Sequence, residues 1–103
     1  METQLRAIAD PVRFRILKHL ANGESAAGDI ARKVEKSGPV TSHHLAILRD
    51  AGLVQVRREA QARIYSLDAQ AVARFRRDFD SFWDDALPRL KAIVEADHGR
   101  KRQ

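Results

Sequence analysis

Hydroxyl and imidazole side chains gather at one place in this sequence, Thr41-Ser42-His43-His44, and guanidinium groups at another, Arg57-Arg58 with Arg63. Such groups do two kinds of chemistry. A serine beside a histidine suggests a nucleophile and its base, while hydroxyl, imidazole and guanidinium groups also hydrogen-bond base edges and phosphates. The first possibility fails on geometry. Neighbouring side chains on a helix diverge by about 100°, and no acid stands where it would orient the imidazole. Asp84-Asp85 fail as a carboxylate pair for the same reason. There is no Gly-rich phosphate loop, no nucleophile elbow and no cysteine. Without cysteine there is also no disulfide, thiolate metal site or thiol switch. An enzyme is not expected, and no cofactor is implied.

The elements that must position these groups can be read from spacing. In Ser25–Leu53, Ala26, Ala27, Ile30, Ala31 and Val34 recur at helical intervals behind Ser25, a good N-cap. Ser37-Gly38-Pro39 breaks that helix and opens a second, with Ser37 as its cap and Pro in its first turn. Val40, His44, Leu45, Leu48 and Ala51 give the second helix an inward stripe, and Gly52 suits a left-handed end. Thr41, Ser42, His43, Ala46 and Arg49 are left facing outward. Two short helices across a tight turn, the second polar outside, form a helix-turn-helix, in which the second helix enters the major groove.

Before it, Gln4–Ala9 reads as a short helix with Leu5 and Ile8 on one face. Asp10-Pro11 starts another, with Val12, Ile16, Leu17 and Leu20 inward, Arg13, Arg15 and Lys18 outward, and Asn22-Gly23 as its stop. After it, Val54–Arg58 and Ala62–Leu67 alternate as strands. They make a hairpin whose turn, Glu59-Ala60-Gln61, lacks the usual Gly or Asn. Its arginines, Arg57, Arg58 and Arg63, suit phosphate neutralisation. Asp68 caps a long final helix, on which Val72, Phe75, Phe79, Phe82, Trp83, Ala86, Leu90 and Ile93 follow three- and four-residue steps. Pro88 should kink or split it near Leu87.

Four segments, ADPVRFRILKHL (9–20), SAAGDIA (25–31), TSHHLAILRDAGLV (41–54) and RREAQARIYSL (57–67), resemble in order and spacing the ArsR/SmtB family of bacterial winged-helix repressors. The likeness covers roughly residues 4–96. It implies a mainly α, dimeric winged helix-turn-helix with a small β-hairpin. One domain would span 1–98, with its wing at about 54–67, a dimerisation helix at about 69–97 and a basic tail at 99–103. It also implies a sequence-specific repressor without enzymatic activity, whose partners are double-stranded promoter or operator DNA, met at an inverted repeat, and a second copy of itself. The DNA-contacting set is then Ser37, Thr41, Ser42, His43, Ala46, Arg49, Arg57, Arg58 and Arg63. The dimer set is Leu5, Ile8, Phe75, Phe79, Phe82, Trp83 and Leu90. His44, on the inward stripe, is expected to be buried and hydrogen-bonded. The alternative is a winged-helix protein-interaction module that does not bind DNA, which the basic wing disfavours.

The family's metal sensors use either a Cys-x-Cys pair near the start of the third helix or an Asp-x-His pair on the last, completed across the dimer. Here those places hold Glu24-Ser25-Ala26-Ala27-Gly28 and Asp80-Ser81-Phe82, and Phe is no ligand. His98 with Asp97 offers two of the four ligands that zinc generally takes, so no metal site is expected. At 103 residues, with 19 Lys and Arg against 14 Asp and Glu, the chain is one small basic domain of charge +5. No apolar run nears the ~20 residues of a membrane span, and Met1-Glu2 begins no signal peptide, so a cytoplasmic, membrane-free protein is expected.

Overall fold

The computed structural model describes residues 1–101, with side chains through Asp97. Side chains from His98 onward, and with them the expected basic tail at 99–103, lie outside the described residues. The order is α1 (Glu2–Ile8), α2 (Pro11–Leu20), β1 (Ser25–Ala26), α3 (Ala27–Val34), α4 (Gly38–Asp50), β2 (Val54–Glu59), β3 (Ala62–Leu67) and α5 (Ala69–Lys101).

Local chemistry places most of these boundaries. Asp10 Oδ1 accepts from the Val12 and Arg13 amides at 2.8 and 3.1 Å, which starts α2 at its proline. Ser37 Oγ accepts from the Val40 amide at 3.3 Å and does the same for α4. α3 and α4 end alike: the Lys36 amide donates to the Ala31 carbonyl, and the Leu53 amide to that of Leu48. Each end passes through one left-handed residue. In α4 that residue is Gly52, at φ +76°, while in α3 it is Glu35, at φ +57°.

Two expectations change here. Ser25 does not cap α3, whose first residue follows Ala26 with no side-chain cap. It lies in β1 instead, opposite Tyr65, with Ala26 opposite Ile64. The sheet therefore has three antiparallel strands in the order β1-β3-β2 rather than two. A two-residue strand is too short to show alternation. The hairpin register pairs Val54 with Leu67 and Glu59 with Ala62, leaving Ala60-Gln61 as a two-residue turn. Ala60 takes the positive φ of +53° that Gly or Asn usually supplies.

The core joins Ile16 and Leu20 of α2, Ile30 and Val34 of α3, and Leu45 and Leu48 of α4, closed by Leu53, Val54 and Tyr65. α5 begins as expected, with Asp68 Oδ1 accepting from the Ala71 amide at 3.0 Å. Val72 packs on the core, but the helix then leaves it. Its 33 residues, about 50 Å of helix, give the chain its 67 Å length against 27 × 21 Å in cross-section. The helix continues unbroken through Pro88, so the expected split does not occur. Among the described residues no helix is long and apolar enough to cross a membrane.

The Glu35 conformation carries a prediction. A non-glycine residue in the left-handed region is disfavoured by about 1 kcal/mol, and Glu35 is exposed and unbonded through its side chain. Glu35→Gly should therefore raise the unfolding free energy by up to about 1 kcal/mol. Urea denaturation followed by circular dichroism checks this.

Candidate nucleic-acid interface

The inward ridge of α4 keeps His44, Leu45, Leu48 and Ala51 as the sequence pattern has them, but begins at Thr41 rather than Val40. Thr41 is 1% exposed and its hydroxyl has no hydrogen-bond partner, so the expectation that it meets DNA is corrected. Its β-branched methyl fills a core position that apolar counting gives to Val40. Val40 is 44% exposed in the first turn, an apolar spot beside His43 that sequence reasoning missed. The outward face is then Pro39, Val40, Ser42, His43 and, half-buried, Ala46, with Ser37 exposed at its head. Such a face offers donors and acceptors to base edges and methyl-sized contacts to thymine.

What holds this face is a joint between three helices. Arg13, which the sequence pattern places outward, instead folds back among its neighbours. Its Nε donates to the Ala7 carbonyl at 2.6 Å and its Nη2 to the Arg6 carbonyl at 3.3 Å, both at the end of α1. Its Nη1 lies 3.2 Å from His44 Nδ1 on α4. With Arg13 as donor, His44 Nδ1 accepts, which requires the neutral ring with its proton on Nε2. His44 is thus largely buried and hydrogen-bonded as expected, with a side chain 14% exposed. Burial lowers its pKa, and the charges of Arg13, His43 and Lys36 act the same way; Asp10, 3.9 Å away, opposes them. Gln4 Nε2 adds a 3.0 Å bond from α1 to the Ala51 carbonyl at the end of α4.

The wing arginines do not share one environment. Arg57 is clamped: Nη1 and Nη2 reach the Glu24 carboxylate at 2.5 and 2.8 Å, and Nη2 reaches Glu59 at 2.9 Å. Two carboxylates thus stand against its charge, while its side chain stays 49% exposed at the surface of the wing. Glu24 is in turn held below the usual carboxylate range by the Arg57 hydrogen bonds. Arg58 and Arg63 are opposed across the strands, like charge against like; with Arg57 and with Arg49 from the end of α4 they border one shallow hollow over Val56 and Tyr65. Of these, Arg49, Arg58 and Arg63 have no carboxylate partner among the described residues.

The stretches where the family places metal do not suit one. Ser25 and Ala26 are strand, Glu24 is occupied by Arg57, Asp80 lies 3.8 Å from Arg76, and Phe82 has no donor atom. Ser25 Oγ is 3.0 Å from His19 Nε2. Among the described residues no three of His, Asp and Glu gather as a ligand set.

Of the expected dimer set, Leu5 and Ile8 are half-buried on α1. Phe75, Phe79, Phe82 and Trp83 pack along one side of α5, ring centroids 5.3 to 6.4 Å apart. Phe82, Leu90, Ile93 and Val94 continue the strip and remain 43–65% exposed.

Comparison with known proteins follows the same lines. The model of the family described as bacterial regulatory protein, arsR family, matches residues 10–56. The HTH-type transcriptional regulator Rv2034 of Mycobacterium tuberculosis is 37% identical over 92 residues, 89% of this chain and 86% of its own. The transcriptional repressor SdpR of Bacillus subtilis is 43% identical over 68 residues, 66% of this chain and 76% of its own. In three dimensions the chain is similar to a homodimeric winged helix-turn-helix DNA-binding domain from Mycobacterium bovis, described as a possible ArsR-family transcriptional regulator. The TM-score is 0.68 at 31% identity, covering 84% of this chain and 80% of that one.

The His44 joint sets a pH dependence. The unfolded ring takes its proton near pH 6.5, whereas the folded ring takes it only at lower pH. Between those values the unfolded state binds more protons, so stability rises with pH there. His44 therefore contributes stability in full above about pH 6.5, which is lost as the pH falls through its folded pKa. Urea unfolding at stepped pH from neutral downward should show that decline, and His44→Asn should flatten it.

Proposed function

The chain belongs to the arsR family of bacterial regulatory proteins, and on that premise we propose that it is a homodimeric transcriptional repressor acting in the cytoplasm at an inverted-repeat operator. The observation that carries this reading is the α4 face. Ser42, His43 and Ala46 stand outward, next to arginines with no acid of their own. Ser42 and His43 would meet base edges, with Val40 and Ala46 against thymine methyls, and Ser37 would reach a phosphate. Arg49, Arg58 and Arg63 would neutralise phosphates beside the wing; Arg57 would set the wing's position against Glu24 rather than bind DNA. The basic wing disfavours a module that binds only protein.

One such surface makes few contacts, so affinity at physiological salt calls for two. The exposed strip of α5, from Phe75 to Ile93, supplies the means, since it would be covered by its counterpart on a second copy, with Leu5 and Ile8 alongside. Repression would then follow from occupying promoter DNA.

Ser42→Ala and His43→Ala should each lower the ratio of specific to non-specific binding by about 1–3 kcal/mol. Arg58→Gln or Arg63→Gln should weaken binding to every duplex alike and flatten its salt dependence, with Arg57→Gln doing so less. Fluorescence anisotropy with selected and random duplexes checks both. Phe79→Ala and Phe82→Ala should give monomers or unfolded chains with lost operator binding, read by sedimentation and DNA titration of one sample. A folded monomer with full operator affinity would overturn the dimer.

A further inference from the structure

The cations of the described residues divide by partner. Arg32, Arg57, Arg76 and Lys91 face Asp29, Glu24 with Glu59, Asp80 and Glu95. Arg13 is spent on carbonyls, His44 and Asp10. Among the cations without a carboxylate within ion-pair distance, Arg49, Arg58 and Arg63 gather by the wing, and Arg15, Lys18 and Lys33 gather in a concavity between α2 and α3 lined also by His19, Asn22 and Val34.

Several of these side chains are held in place rather than waving in solvent. Arg15 Nη2 donates to the Val34 carbonyl at 3.4 Å. Lys18 Nζ lies 5.6 Å from the centre of the Phe14 ring. His19 is tied to Ser25. The acid one turn before Lys33, Asp29, is occupied by Arg32. Three cations thus converge without a counter-charge, an arrangement that costs self-repulsion until an anion fills it.

Its place in the fold says which anion. Val34 is separated from the Ser37 cap of α4 only by Glu35 and Lys36, and the charge of Lys36 reaches His44. The concavity therefore adjoins the N-terminal end of α4, while the wing group adjoins its C-terminal end through Arg49. Thirteen helical residues span about 20 Å, and a major groove about 12 Å wide is bounded on both sides by phosphates. A helix laid across that groove brings one cation group to each wall. We propose that the α2–α3 concavity is a second phosphate-backbone site, taking the DNA strand opposite the one met by the wing. This rests on the DNA-binding reading above.

The test is the salt dependence of binding to a random duplex of about 30 base pairs, measured by anisotropy for the full chain and for Lys18→Gln/Lys33→Gln. Arg15 is left intact because it holds the end of α3. Losing two phosphate contacts in each protomer, four in the bound dimer, should lower the slope of log affinity against log salt by about 3.6 and reduce affinity at physiological salt well over about tenfold. Lys18→Arg/Lys33→Arg should restore both. An unchanged slope would overturn the proposal, as would a loss that the arginine pair does not restore, which would mark a packing effect. Binding to polyglutamate that excess duplex does not compete away would assign the concavity to an acidic protein and also overturn it. Failure of the unaltered chain to bind any duplex would instead overturn the DNA-binding reading itself.

Discussion

Phe82, Leu87, Leu90, Ile93 and Val94 stand 43–65% exposed along a helix whose first turns alone rest on the core. Covering one such side chain is worth about 1.5–3 kcal/mol, so an uncovered row of them puts a strong drive behind association. Among the described residues nothing is laid against this row, and the core is already closed by α2, α3, α4 and the sheet. In the proposed dimer the same strip covers itself, and each contact occurs twice by symmetry. The spacing of two DNA-reading surfaces then follows from how two long helices pack, not from any linker.

That spacing matters only if α4 is fixed relative to α1 and α5. Leu45 and Leu48 seat α4 in the core, and polar bonds fix its orientation against α1 and α2. Arg13 joins the last carbonyls of α1 to His44 in the middle of α4, and Gln4 joins α1 to the end of α4. A half-buried guanidinium with three acceptors is held in one orientation, and removing it would strand carbonyls and an imidazole at once. The wing is tied separately, by Arg57 to the Glu24 loop between α2 and β1. The α4 helix and the wing are therefore braced by ion pairs and charge-assisted hydrogen bonds in addition to the core.

Much of this was legible in sequence because it is local. Asp10-Pro11, Ser37-Gly38-Pro39, Gly52 and Asp68 each act through hydrogen bonds within four residues of themselves, and the structure keeps all four. Apart from the unbroken helix at Pro88, the misreadings are tertiary. Thr41 took the core position expected of Val40 because a buried threonine is invisible to an apolar count, while the rest of the α4 ridge stands as read. Arg13 and Arg57 counted as surface charge until their distant partners, His44 and Glu24, came into view. β1 exists only because β3 offers it a free edge at Ile64 and Tyr65. At the candidate interface, Ser42, His43, Arg58 and Arg63 stand exposed where the pattern put them, and Val40 was readable only once the ridge of α4 was known.

Selection of DNA from a random pool by the unaltered chain, followed by sequencing, tests the central claim most directly. Two copies joined through α5 should enrich an inverted repeat whose half-site centres lie about one helical turn, 10–10.5 base pairs, or a multiple of it apart. Enrichment of a lone half-site, or of no sequence at all, would contradict the account.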